Sequence, residues 1–351
     1  MSLVSVITNY GQPVIVSDIA ISTEEKTDEI YVPSLNREVD FNKLGSGKKI
    51  YSYGLKVLII QDILCVTFAG NVADIKDAQA NIEDFFLHRY VNVETLQNLF
   101  KEYHFSHYKD LSISFTLGRP EISKNTVTGR AIGKWETKEH PFFEKVISSG
   151  SGAKEWNEKF YEQSNLLQQG EKVFLGECLN KVLLTCAYFL WQEKISPENL
   201  LEGWGGGFDV AYYDGCHFKK IENVVFAFFS FDISKPNTDT RPQSFIHNSY
   251  DEKKLIIRYF DQYDHKTYVI KQFNDKIIDT SKIYSLLVQS NLVVSCVQIF
   301  NGSSKTHDFF IVNPKNEKII FQTIDIDGIL GIGIESEYEN TIKTTIKDFL
   351  S

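Results

Sequence analysis

The first eighteen residues, MSLVSVITNYGQPVIVSD (1–18), decide how the rest of the chain is read. Leu3 to Ile7 and Val14 to Ile19 are short β-rich runs, and Tyr10-Gly11-Gln12-Pro13 between them is a turn signal. The spacing therefore predicts an opening hairpin. A serine stands directly behind the initiator methionine, and an aspartate closes the second strand. If Met1 leaves, Ser2 becomes a self-contained catalytic unit, because its hydroxyl can attack while its own α-amine takes the proton. A free α-amine has a pKa of about 8, close to working pH, which suits a general base.

Outward from the hairpin, residues 22–50 turn polar and form a long excursion. Leu55 to Ile60 and Ile63 to Phe68 predict a second hairpin around Gln61-Asp62, ending in Ala69-Gly70. Apolar residues at helical spacing predict helices over 72–90, 93–103, 152–168 and 175–192, with a strand over 111–117 between the second and third. Gly205-Gly206-Gly207 then breaks the chain, and strands over 208–213 and 224–229 flank a turn at Asp214-Gly215. Clusters of strands and helices in this order fit sheets covered by helices better than a βαβ alternation. The turn-rich stretch 232–243 suggests a boundary. Beyond it, strands are expected over 254–260, 267–273, 292–300, 308–312 and 318–323, with one helix over 281–289, as a mostly β appendage.

The opening, together with Leu55-Lys56 and the run from Ile63 through Ala69-Gly70 to Asp74, resembles the β subunits of proteasomes and their bacterial relatives, the N-terminal nucleophile hydrolases. Gly150-Ser151-Gly152 and Glu202-Gly-Trp-Gly-Gly-Gly-Phe-Asp209 extend the resemblance over some two hundred residues. It implies an α+β fold, a four-layer αββα sandwich over 1–231 with an insertion at about 22–53. The mostly β region 244–351 would be a separate extension of unknown role. It also implies that Ser2 takes the place of the family's first threonine, Asp18 that of its strand-end aspartate and Lys56 that of its lysine. Gly70 would form the oxyanion site, Ser151 would belong to the catalytic set, Glu202 would help orient the N-terminus, and Phe68 and Val72 would line the substrate pocket. A bulky Phe68 would favour small side chains there.

The residue types suit that chemistry. A nearby lysine ammonium disfavours protonation of the amine and stabilises a developing alkoxide, and an aspartate fixes the lysine. A glycine N–H can face the tetrahedral oxyanion with no side chain in the way. Three features depart from the family pattern. Asp18 and Lys56 are about twenty residues further apart, which leaves Lys48 and Lys49 as rivals for the lysine role. The acidic residue is Glu202, one methylene longer, and Gly205 replaces a serine three positions later. Two functions stay open: a peptidase or amidase acting through an acyl-enzyme on Ser2, and a catalytically silent module used for assembly, sensing or partner binding.

Composition narrows the classes. A net charge of −9 argues against a nucleic-acid or anionic-membrane surface, since both need a basic field. Five scattered cysteines without a CxxC pair suggest neither a disulfide framework nor a zinc site. No leader and no eighteen-residue apolar run is read, so the expectation is a soluble cytoplasmic protein, and Asn301-Gly302-Ser303 is a chance sequon. No cofactor is called for. The expected partners are a peptide or protein substrate, further copies of the chain in a ring or stack, and an unfoldase or other protein. Cys216-His217 as a dyad, His104 with His107 as metal ligands and Asp325-Ile-Asp327-Gly328 as a calcium loop are each weaker than a turn, a solvated pair and a strand end.

Overall fold

The structure is a computed structural model that describes residues 2–8, 11–45, 47–119, 126–140, 143–164, 175–235, 241–261, 265–272, 281–282, 287–290, 292–302, 304–312, 319–326, 329–334 and 336–350. The opening hairpin forms as its pattern dictates, Val4–Thr8 against Val14–Asp18, with Val4 opposite Ser17. It lies in the middle of a six-stranded antiparallel sheet of strand order Glu136–Lys138, Lys145–Ser149, Val4–Thr8, Val14–Asp18, Phe208–Tyr213, Phe218–Lys220. The second hairpin, Val57–Ile60 with Leu64–Gly70, joins Leu111–Arg119 and Thr126–Ile132 in a four-stranded sheet. Alternation along Leu64–Gly70 sends Leu64, Val66 and Phe68 into one core cluster and Cys65 into another, where it meets Val6, Ile15, Ala211 and Tyr213 from the first sheet.

Helix α1 (Val72–Phe86) starts where the Asn71 side chain accepts the Ala73 N–H at 2.8 Å. Its Ile75, Ala78, Ile82, Phe85 and Phe86 are buried in the core shared with the four-stranded sheet. Helix α2 (Val93–Glu102) opens with a capping box between Asn92 and Thr95, and buries Leu96 and Leu99 in the same core. Helix α3 (Ala153–Ser164) brings Trp156 and Phe160 into the largest core, beside α4 (Leu175–Ile195), which is followed by the single turn α5 (Glu198–Leu201).

The whole-chain architecture corrects the expected four-layer αββα sandwich with a separate β extension. The protein is mostly β, with twenty-four strands and six α-helices among the described residues, spread over several sheets. The physical reason lies in two elements. Strand Val224–Asp232, expected to finish the first unit, pairs antiparallel with Ser244–Asp251 and parallel with Leu292–Asn301. It thereby becomes an interior strand of a seven-stranded sheet, so hydrogen bonding crosses the turn-rich break at 232–243. Helix α4 buries Cys178, Val182, Cys186, Ala187, Phe189, Leu190 and Trp191, which occupy more than one face. A helix apolar on several sides belongs in an interior, and α4 packs on Val14–Asp18 as well as on Leu292–Asn301 and Ser304–Val312. One cluster therefore runs from Leu3 and Val16 to Ile257 and Val294.

The insertion folds as two short ribbons, Ala20–Thr23 with Lys49–Tyr53 and Ile30–Val32 with Arg37–Val39. Tyr268 Oη donates to Asn36 Oδ1 at 2.7 Å, and Leu55 N–H donates to the Lys271 carbonyl at 3.1 Å. The seven-stranded sheet thus touches the insertion and the residue before Lys56.

The helix expected over 281–289 does not form. Ser281–Lys282 and Leu287–Ser290 are strands that pair with His265–Ile270 and Ile319–Ile326, and residues 283–286 lie outside the described set. Helix α6 (Ser336–Leu350), unread in the sequence, buries Tyr338, Ile342 and Ile346 in the core of the seven-stranded sheet. No described helix is long and apolar enough to cross a membrane.

Candidate active site

Asp18 is the hub. It is fully buried and ends its strand, where Oδ1 accepts the Leu3 N–H at 2.7 Å and Oδ2 accepts the Gly205 N–H at 2.9 Å. Lys56, 2% exposed, donates from Nζ to Asp18 Oδ1 and to the Ala20 carbonyl, the latter at 2.7 Å. Lys49 donates to the Glu24 carbonyl at 3.1 Å and Lys48 lines a cavity, so Lys56 is the lysine on Asp18. Burial lowers the Lys56 ammonium below its ordinary value, against the opposing pull of Asp18. Its proton leaves more readily than that of a surface lysine.

Ser2 sits one residue from this hub and is 2% exposed. The register of the two strands ends at Val4 opposite Ser149, two residues short of Ser2 and Ser151. Gly150 intervenes at φ +102, and a Cβ there would overlap the Ser2 carbonyl oxygen. Gly150→Ala is accordingly expected to destabilise by about 2 kcal/mol through backbone strain and displacement of Ser2, read as a lower thermal midpoint. A variant indistinguishable from the parent would show that the two backbones are not in contact. The hydroxyl oxygens of Ser2, Ser17 and Ser151 are buried without a hydrogen-bond partner among the described residues.

A cavity of about 1700 Å³ is lined by Ser151, while Ser2 and Ser17 lie outside its lining. It is lined by 69–72 and 148–151, by 22–30 of the insertion, and by 109–112 with 134–136. Gly70 at φ +126 and Val72 both line it, and a Cβ on Gly70 would overlap the Asp110 carbonyl, so only glycine fits there. Phe68 does not reach the cavity: it is fully buried in the core that also holds Ile75 and Ile82 of α1, and so does not narrow a pocket. Glu202 is exposed at the C-terminal cap of α5, away from Asp18.

The carboxylate that does sit behind the glycine bend is Glu193, unrecognised from sequence. It is fully buried and accepts from Asn199 Nδ2 at 2.6 Å, from the Gly206 N–H at 3.0 Å and from the Ser34 hydroxyl. Burial pushes its carboxyl up from 4.5 to about 7, against the three donors that lower it and with Asp18 adding to the rise. A signal existed, because Leu183, Cys186 and Leu190 lead along one apolar stripe to position 193, where the period asks for an apolar residue and the chain has Glu.

Two of the weaker candidates, Cys216-His217 and His104 with His107, lie in local turns. Asp214 Oδ1 accepts the Cys216 and His217 N–H groups at 2.8 Å each, making a turn of that dipeptide. His104 precedes a single 3-10 turn ending at His107, and no three-residue metal-binding group occurs among the described residues. Asp325 belongs to strand Ile319–Ile326, and Asp327-Gly328 lie outside the described residues, as do Met1 and Ser303. No protein-family model matches the chain, and no curated protein shows significant similarity to it.

Proposed function

We propose that the protein is an N-terminal-serine hydrolase, a peptidase or amidase that acts once the peptide bond preceding Ser2 has been cut. The observation that carries this reading is the orphaned, buried Ser2 hydroxyl one residue from a carboxylate that also grips a buried lysine. After cleavage the Ser2 Oγ attacks the substrate carbonyl and its proton passes to the new α-amine. The carbonyl oxygen becomes an oxyanion beside Gly70. Collapse breaks the C–N bond, the leaving amine takes the proton, and an ester on Ser2 remains for water to hydrolyse. The Lys56 ammonium keeps the α-amine unprotonated by like-charge repulsion, and Asp18 holds Lys56 in place. Nucleophile and base are both groups of this chain, so the steps need no cofactor.

The cavity over Gly70 and Ser151 is of a size for a peptide segment, and its charged inserted wall would contact the substrate. The five free thiols, four of them buried, suit a reducing, cytoplasmic setting. Further copies of the chain in a ring or stack, and an unfoldase feeding them, belong to the same proposal through the resemblance of the opening residues.

A peptide epoxyketone tests it, because that probe needs the hydroxyl and the free amine of one N-terminal residue to close its ring. Intact-mass spectrometry is expected to show loss of Met1 and one adduct per chain, both adduct and turnover vanishing in Ser2→Ala. Retained Met1 with no adduct would replace the hydrolase by the silent-module reading, which the exposed position of Glu202 favours.

A further inference from the structure

Two carboxylates hold two consecutive amides. Gly205 N–H points to Asp18 Oδ2 and Gly206 N–H points to Glu193 Oε1, across a bend in which both glycines have positive φ, +110 and +75. No residue with a side chain adopts that pair of conformations readily, and a Cβ on Gly205 would overlap the Glu193 carboxylate. The bend is therefore bare backbone clasped between two acids. Glu193 is itself clamped from two further elements: Asn199 of α5 on Oε1, and Ser34 of the inserted segment on Oε2. Asp18, the Tyr53 phenol and the Lys194 ammonium are ionisable groups whose charge couples to Glu193, and Tyr53 also packs its ring on Gly206.

We infer that Glu193 is a positioning residue for the Asp18–Lys56 pair, acting through the Gly205–Gly206 bend, and that Ser34 makes the insertion part of that support. Asp18 has only two oxygens for three donors, so the place of the Gly205 amide decides how Oδ1 remains aimed at Lys56 and Leu3. Glu193 decides where that amide lies. The wall of the cavity and the hub behind it are then mechanically one unit, and a substrate that moves residues 22–30 acts on Asp18 through Ser34. This gives the inserted segment a function beyond covering the cavity, and it rests on the reading of Ser2 and its neighbours as the reactive centre.

The test compares wild type, Glu193→Gln, Glu193→Ala and Ser34→Ala in the full chain by hydrogen–deuterium exchange, together with the rate of epoxyketone adduct formation. Glutamine keeps an acceptor for the Gly206 amide and a donor for Ser34, so Glu193→Gln is expected to preserve both readouts. Glu193→Ala is expected to speed exchange in peptides covering 17–21 and 203–208 by about tenfold or more, with peptides over 64–70 and 111–117 unchanged. Adduct formation should slow in parallel. Ser34→Ala, which removes one donor, should show the same pattern at roughly threefold and answers the question if Glu193→Ala does not fold. Unchanged exchange at 17–21 in both alanine variants, or acceleration spread evenly over the chain, overturns the inference. If wild type forms no adduct while the exchange pattern appears as stated, the positioning role stands and the hydrolase reading fails.

Discussion

Asp18→Ala is expected to cost about 3–5 kcal/mol of stability, the range for breaking a buried ion pair by removing one partner. Lys56 would keep an ammonium at 2% exposure with the Ala20 carbonyl as its remaining partner, and the Leu3 and Gly205 amides would lose their acceptors. Taking both charges away should be far milder. Asp18→Ala combined with Lys56→Met removes both charges of the pair, so a recovery of about 2 kcal/mol or more over Asp18→Ala is expected at pH 7. Urea midpoints of the parent, both single variants and the double variant decide it. A single variant within about 1 kcal/mol of the parent would mean that the lysine reaches water and is not held as described.

The second large effect is a pH dependence set by Glu193. Its carboxyl titrates near 7 in the folded chain against 4.5 when free, because burial disfavours the anion more than its donors favour it. Between those values the folded state holds a proton that the unfolded state has released. Stability contributed by this group is therefore greatest below about pH 4.5, falls as pH rises to about 7, and is flat above. The full difference is on the order of 3 kcal/mol. Glu193→Gln removes the ionisation and keeps the shape. The variant should match the parent near pH 4.5 and exceed it by about that amount at pH 8, when the two are compared by denaturation at each pH. A difference that stays constant with pH would show that Glu193 is solvated or already neutralised by a partner.

Both effects come from groups of very different visibility in the sequence. Asp18 and Lys56 were singled out by the resemblance of the opening residues, since by themselves they read as a strand-end turn residue and a solvated strand start. Lys48 and Lys49 stood as rivals to Lys56 on spacing, and the structure sets Lys49 in a ribbon, Ala20–Thr23 on Lys49–Tyr53, with its ammonium on the Glu24 carbonyl. Glu193 lay one residue beyond the helix read over 175–192, so it was never weighed as part of an apolar stripe. Glu202 was chosen by its distance from the glycines along the chain, and that distance is spent on α5, which leaves it on the surface. Phe68 was expected at the pocket, but strand alternation turns it under α1 instead.

Local elements are where the sequence carried the argument by itself. The two hairpins, α1, α2 and the glycine-rich break depend on neighbours within a few residues, and period and turn chemistry report such neighbours directly. Architecture and the centre of the site were decided by tertiary structure, because they rest on contacts between distant segments. Asp18 meets Gly205 across 187 residues and Ser34 meets Glu193 across 159. Strand Val224–Asp232 finds its parallel partner about seventy residues on. No periodic pattern encodes such pairings. They follow from which apolar faces close on one another when α4 is enclosed between two sheets, and that enclosure brings Glu193, Gly205 and Asp18 to one place.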